Sequence, residues 1–261
     1  MEQTALITGG TSGIGLELAK LFAADGYQLI LVARDQEKLD QTASTLRNEY
    51  QVNVITIAKD LFKPESAFEL YEEVKSKGVE VDVLVNDAGQ GVYGLFTETD
   101  LQRQLDIIQL NVNSVVVLTY HWLKDMVDRG HGKILNLSSI AGKIPGPWQA
   151  VYHGTKAFVQ SFTEAIRSEV KDKGITVTAL LPGVTATDFF NKADMTSSKA
   201  VQDKDDMADP ADVAKDGYEA LARGEHMVIS GLKNKFQVAM NAVASDETAA
   251  DRMGEFQGPV E

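Results

Sequence analysis

The sequence predicts an α/β fold built around one doubly wound parallel sheet of about seven strands, with helices on both faces. Three observations lead there. Short runs rich in β-branched and apolar residues alternate along the chain with longer segments of helical period. Those short runs are continuously apolar, as in Leu29-Ile30-Leu31-Val32, which is the pattern of strands covered on both faces. A glycine-rich turn directly follows the first of them.

The first strand is expected at residues 4–8, and Leu16, Leu18, Ala19, Leu21 and Phe22 then give the next segment a helical apolar stripe. Further strands are expected at 28–33, 53–58, 81–86, 133–138, 175–181 and 227–230. Right-handed crossovers between them, with a phosphate turn after the first, make the sheet Rossmann-like. One long helix is expected over about 101–127 and another around Tyr152. Residues 191–209 are polar and charge-rich, so the stretch 185–209 is expected to form a lid over the site. Pro210 suits the first turn of a new helix, with Asp209 as its cap. Residues 1–245 read as one domain. The acidic tail 246–261, with two glycines and a proline, is expected to be partly disordered unless a partner subunit holds it.

Composition narrows the function. At 261 residues, 44% apolar and 24% charged, the chain can bury a substantial core. It has no cysteine, which removes disulfides and thiolate chemistry and favours a reducing compartment. A net charge of -13 without any basic run argues against a nucleic-acid partner. No apolar run approaches the roughly 18 residues of a membrane span, and no leader-like segment precedes Ala5, so a cytoplasmic enzyme without an integral membrane segment is expected. His121, His131 and His226 are scattered without metal-ligand spacing, and no metal is expected.

Residues 8–15 read Thr8-Gly9-Gly10-Thr11-Ser12-Gly13-Ile14-Gly15, between a strand and an amphipathic helix. Glycines there permit close backbone approach, while the helix start offers free N–H groups and a positive dipole end to a pyrophosphate. Further along, Tyr152 and Lys156 are four residues apart and share one helix face; Ser138-Ser139 ends a strand, and Asn111 lies upstream. This combination, in this order, resembles the short-chain dehydrogenase/reductase family, with Thr-Gly-x-x-x-Gly-x-Gly as the cofactor loop. The resemblance covers roughly residues 4–190.

The resemblance implies that Asn111, Ser139, Tyr152 and Lys156 are catalytic. A carbonyl that accepts hydride becomes an alkoxide, which calls for an acid at that oxygen and a donor to polarise it. Tyr152 would be the acid in reduction and, as phenolate, the base in oxidation; Ser139 would be the donor. Bringing a phenol from about 10 to about 7 takes about 4 kcal/mol. One ammonium about 4 Å away, at an effective dielectric of about 20, supplies that much, and Lys156 is expected to do so. The resemblance further implies that Lys156 holds the nicotinamide ribose and that Asn111 orders a water resupplying the proton. Ser138 is expected to point away. His153, about 100° around the helix from Tyr152, is expected to pack rather than react.

For the cofactor, the resemblance implies contacts from Gly9, Thr11, Ser12, Gly13, Ile14 and Gly15; from Arg34; from Asp60 and Leu61; from Asn86, Ala88 and Gly89; from Tyr152 and Lys156; and from Pro182, Gly183, Thr185 and Thr187. Arg34 at the end of the second strand favours NADP(H), because its guanidinium can fork onto a 2′-phosphate; adjacent Asp35 leaves NAD(H) as the alternative, or caps the next helix. Two positions depart from the family pattern. Asp87 stands where many relatives have Asn, keeping acceptor oxygens but losing the amide donor and adding charge. Thr185 stands where an aliphatic residue is commoner.

Val92, Tyr93, Leu95, Phe96, Trp148, Phe189 and Phe190 are expected near the mouth of a pocket for a small hydrophobic ketone, aldehyde or alcohol. The resemblance also implies a homodimer or homotetramer. Two other readings stand beside a carbonyl reductase: a reductase of 3-oxoacyl thioesters, and a non-catalytic NADP(H)-binding regulator.

Overall fold

In the computed structural model, which describes residues 3–203, 206–241 and 244–260, seven parallel strands form one sheet in the order β3-β2-β1-β4-β5-β6-β7. They are β1 (Thr4–Thr8), β2 (Gln28–Ala33), β3 (Val54–Ala58), β4 (Val83–Asn86), β5 (Gly132–Leu137), β6 (Ile175–Leu181) and β7 (Met227–Ile229). Each expected strand is present: β1, β2 and β6 have the expected bounds, and the ends of the other four are shifted by one or two residues. The chain first runs outward from β1 through β2 to β3, then crosses to the other side of β1 at β4. At that reversal the loops after β1 and β4 part, leaving a crevice at the carboxyl ends of the strands.

Strand residues alternate between two cores. Ala5, Ile7, Leu29, Leu31, Val83 and Val85 face one side, where they meet Leu18 and Phe22 of α1 (Gly13–Ala24), Leu39 and Leu46 of α2 (Gln36–Tyr50), and, beyond, the buried Val213 and Leu221. Leu6, Ile30, Val32 and Leu84 face the other, against Leu70 and Val74 of α3 (Ser66–Ser76) and the Leu118–Trp122–Met126 stripe of a later helix. Period-two alternation into two apolar layers is why these strands carry no polar face.

The expected helix over 101–127 is interrupted. α4 (Leu101–Ile108) passes into a π-helical turn at Gln109–Asn113 and then α5 (Ser114–Arg129). The inserted turn shifts the helical phase and faces the buried Asn111 toward Thr155, to whose hydroxyl its amide donates at 3.0 Å. α6 (Ala150–Val170) follows β5, and a short α7 (Phe189–Lys192) lies in the 185–209 segment. Asp209 caps α8 (Pro210–Arg223), accepting from the Ala211 N–H at 2.8 Å with Pro210 in the first turn, as expected.

The C-terminal part of the chain differs from the expectation of disorder. After α9 (Leu232–Asn241), residues Asp246–Gln257 form α10. Ser245 accepts from the Thr248 N–H at 3.3 Å, and Asp246 and Glu247 sit in the first turn, where the helix dipole favours them. Ala249 and Met253 pack on Ile144, so the segment is held within its own chain. The expected lid is ordered around Ala193, Met195 and Val201; its residues 204 and 205 lie outside the described residues.

Trp122 is 1% exposed and central to the second core. Trp122→Ala is expected to lose about 3–5 kcal/mol of stability, read as a lowered urea midpoint with an unchanged slope.

Candidate active site

The loop after β1 is shaped by close packing. Gly9 and Gly13 adopt left-handed φ values of 76° and 57°. A Cβ on Gly9 would come within 3.1 Å of the Ala88 backbone nitrogen, and one on Gly15 within 2.7 Å of the Gly9 carbonyl oxygen. The Ser12 side chain makes no capping bond and the first turn of α1 holds no acid of its own, so the helix start can face an anion, although the Gly15 N–H is turned to the Asp87 carboxylate. Gly9, Thr11, Ser12, Gly13 and Ile14 line a cleft of about 1180 Å³ running from the end of β2 to Tyr152. Gly15 stands behind them as a packing residue. This donor-rich, glycine-lined cradle fits the pyrophosphate of a dinucleotide.

At the β2 end, Arg34, Lys38 and Lys59 line the cleft, with the Arg34 guanidinium 5.1 Å from the centre of the Phe62 ring. Asp35 is occupied as the cap of α2, accepting from the Lys38 N–H at 3.1 Å. Leu61 lines the cleft, whereas the Asp60 carboxylate turns back to accept from the Phe62 N–H at 3.3 Å. Lys38, Lys59 and Phe62 form no local sequence pattern, since they come from three separate segments that only the fold brings to the cleft.

After β4, Ala88 and Gly89 line the cleft. The Asn86 side chain does not reach it: its amide donates to Thr119 (3.1 Å) and Asn136 (2.8 Å), and Asn136 donates to Thr163, tying β4 and β5 to α5 and α6. The Asn86 side-chain amide thus has a bracing role. The Thr8 hydroxyl accepts from the backbone N–H groups of Asp87 (3.2 Å) and Ala88 (3.1 Å), setting the height of this loop above the sheet. Pro182, Gly183, Thr185 and Thr187 close the far wall, with Thr185 donating to the Gly183 carbonyl at 3.0 Å. Asn234 of α9, which the sequence did not point to, stands against Gly183.

Ser139, Tyr152 and Lys156 share the inner wall. Ser139 caps a 3-10 turn, accepting from Ala141 at 3.1 Å and donating to the Pro182 carbonyl at 3.2 Å. Burial pushes the Tyr152 phenol up to about 12, with a bond to Ser139 acting the other way. Burial brings the Lys156 ammonium down to about 8, opposed by the charge of Asp87. Lys156 Nζ donates to the Leu137 carbonyl at 2.8 Å and stands 5.8 Å from the centre of the Tyr152 ring. The expected lowering of Tyr152 by Lys156 is therefore not realised in this arrangement, because the ammonium is turned to a main-chain oxygen. Ser138 also lines the cleft, and its hydroxyl is engaged in donating to the Lys156 carbonyl at 2.7 Å.

Asn111 does not line the cleft, yet a Cβ on Gly89 would lie 3.4 Å from Asn111 Oδ1 and 3.3 Å from Lys156 Nζ, so the two flank one glycine. Asn111 also exchanges two hydrogen bonds with the Gln90 backbone (2.8 and 3.0 Å). His153 packs as expected, with Nδ1 2.7 Å from the Ile144 carbonyl and Nε2 3.0 Å from Gln257 Nε2.

Of the seven apolar residues expected at the mouth, Phe189 and Phe190 line the cleft, and the Phe189 ring is 5.1 Å from that of Tyr152. Tyr93 and Trp148 stack at 5.7 Å, and the Tyr93 hydroxyl donates to the Gln257 carbonyl, so this pair supports α10 instead. Val92 is buried, while Leu95 and Phe96 are exposed away from the cleft. The missing apolar lining comes from Met195, Leu232, Met253 and Phe256, on the lid and the last two helices.

The profile of the family described as short chain dehydrogenase matches residues 3–198. The chain belongs to the short-chain dehydrogenase family. Its relatives carry the names of dehydrogenases and reductases. It is 38% identical over 189 residues to a very-long-chain 3-oxoacyl-CoA reductase of Mus musculus, covering 70% of this chain and 59% of that protein. It is 34% identical over 241 residues to dehydrogenase/reductase SDR family member 7B of Danio rerio, covering 88% of this chain and 78% of that one. The chain thus spans under two thirds of the mouse reductase. Among solved structures, a 7beta-hydroxysteroid dehydrogenase superposes with a TM-score of 0.87 at 25% identity, over 97% of this chain and 96% of that one. A short-chain dehydrogenase from Sphingobium yanoikuyae in complex with NADPH gives 0.82 at 28%, over 96% and 99%. Among the described residues no helix is long and apolar enough to cross a membrane.

A methyl group at residue 15 would collide with the Gly9 main chain as well as with the Asp87 carboxylate. Gly15→Ala is expected to misplace the loop at a cost of about 1–3 kcal/mol. Titration of NADPH fluorescence should show this as a loss of affinity of about tenfold or more.

Proposed function

We propose that the chain transfers hydride between NADP(H) and a hydrophobic ketone, aldehyde or secondary alcohol, with Tyr152 moving the proton at the reacting oxygen. The observation that carries this reading is one cleft joining the phosphate loop at one end to Ser139, Tyr152 and Lys156 at the other. A nicotinamide dinucleotide, when bound, supplies or accepts the hydride there. Gly9, Thr11, Ser12, Gly13 and Ile14 would hold its pyrophosphate; Ala88, Gly89, Pro182, Gly183, Thr185 and Thr187 would frame the rest. The cluster of Arg34, Lys38 and Lys59, with Asp35 spent as a cap, supports NADP(H) over NAD(H).

In reduction the Ser139 hydroxyl would exchange its Pro182 partner for the carbonyl oxygen, and Tyr152 would give that oxygen its proton. In oxidation the phenolate would take it. Lys156 must then leave the Leu137 carbonyl and approach Tyr152, which removes the penalty that burial puts on the phenolate. Asn111, across Gly89 from Lys156, is suited to hold the water that returns the proton. Phe189, Met195, Met253 and Phe256 exclude water around an apolar substrate. Exposed Leu101, Leu105, Ile108, Tyr120 and Phe158 on α4, α5 and α6 support assembly as a homodimer or homotetramer. A cytoplasmic setting is part of the same reading.

A 3-oxoacyl thioester is the second reading, supported by the name of the mouse relative and by a rim where Lys199 and Lys233 stand among Leu232 and Phe256.

The test is oxidation of NADPH and NADH with hydrophobic ketones, aldehydes and a 3-oxoacyl thioester. Tyr152→Phe is expected to lower kcat by about 10²–10⁴ while leaving NADPH affinity nearly unchanged. Arg34→Ala is expected to move the NADPH-to-NADH preference about tenfold toward NADH, the worth of a charge-assisted bond. Turnover that survives Tyr152→Phe would contradict the mechanism. Tight NADPH binding without turnover in either direction would favour the regulator.

A further inference from the structure

We propose that Asp87 couples dinucleotide binding to proton uptake: its carboxylate gives up its charge when an anionic pyrophosphate settles on the loop beside it. This rests on the dinucleotide reading of the cleft and adds a role for a residue the hydride-transfer chemistry does not use.

Asp87 follows β4 and lines the cleft, half-buried as a residue. Its oxygen Oδ2 is pressed onto the phosphate loop: a Cβ on Gly9 would lie 2.7 Å from it and one on Gly15 2.4 Å. The Gly15 backbone N–H, in the first turn of α1, faces the carboxylate as a donor. The charged groups that face it are Lys156 from α6 and Lys192 from α7, and the Thr8 hydroxyl of β1 is engaged with its backbone. Lys156 is itself bonded to the Leu137 carbonyl at 2.8 Å. A negative side chain therefore occupies the same turn of α1 that a pyrophosphate would use.

Burial has already pushed Asp87 up to about 7, against the pull of both lysines. A dinucleotide adds negative charge at the loop and strips the remaining water from the cleft, and both disfavour the ionised carboxyl further. A protonated carboxyl carries one donor and one acceptor, which restores the pattern of the amide that many relatives have at this position. Neutral Asp87 thus fits the occupied cleft and ionised Asp87 the open one.

The sign follows from linkage. A group whose value is raised by binding favours the complex when protonated, so affinity is full below about 7 and falls as pH rises through that value. Between about pH 6.5 and about pH 8.5 NADPH affinity is expected to fall about tenfold in the wild type and to stay nearly flat in Asp87→Asn. The 2′-phosphate, titrating near pH 6, contributes equally to both proteins.

Lys156 could also take up a proton, so the identifying readout is infrared difference spectroscopy of the intact protein on adding NADPH at about pH 7.5. The expected result is loss of a carboxylate band and gain of a protonated-carboxyl C=O band, both absent in Asp87→Asn, whose fold is checked by its melting temperature. NADPH binding without that band, or with the same band in Asp87→Asn, overturns the role of Asp87 alone. Failure of both NADPH and NADH to bind overturns the dinucleotide reading and this proposal with it.

Discussion

The site depends on an ammonium held out of water. Lys156 is 6% exposed, and its charge is met by the Leu137 carbonyl at the end of β5 and by Asp87 across the cleft. Burying a charge costs several kcal/mol unless such partners are arranged beforehand. The arrangement is therefore built into the backbone. Ser138 holds the Lys156 carbonyl, and Gly142 lies so close that a Cβ would come within 2.7 Å of it. These contacts pin α6 to the end of β5, and Tyr152, one turn earlier, is fixed with it.

The crevice itself is a consequence of topology. Because the chain reverses direction around β1, the loops after β1 and β4 separate and nothing covers the carboxyl ends of those strands. Their backbone polarity, the start of α1 and the side chains of α6 all point into the same gap. Residues of the 185–209 segment and α10 then line the other end with methionine and aromatic side chains, and α9 adds Leu232. The cleft is apolar around Tyr152 and cationic near Arg34. One end is thus suited to a phosphate and the other to an uncharged substrate.

Much of this was legible from the residues. Strands covered on both faces leave an unbroken apolar signal, and β1, β2 and β6 lie within the expected bounds. The glycine loop and the Tyr152–Lys156 pair were readable because their spacing is local. What escaped was set by distant partners. α10 offers few apolar residues, and its packing depends on Ile144 about a hundred residues earlier. The π turn that buries Asn111 leaves no trace in composition. Asn86 has the right sequence position for a cofactor contact, but its amide is consumed by Asn136 and Thr119. Tyr93 and Trp148 read as pocket aromatics and instead stack to support the last helix. The orientation of Lys156 was missed for a similar reason, since only the folded chain reveals that the Leu137 carbonyl competes for it.

In the proposed mechanism Lys156 governs the ionisation of Tyr152 once the cleft is filled. The direct measurement is the ultraviolet titration of the Tyr152 phenol, taken as the difference between wild type and Tyr152→Phe, without and with NADP+. Without the dinucleotide the phenol should ionise only near about 12, where burial has pushed it. With NADP+ bound its ionisation should move by several pH units toward neutrality, and Lys156→Met should abolish that movement. A Tyr152 that still ionises near its free-protein value with NADP+ bound, or that shifts equally in Lys156→Met, would contradict the account.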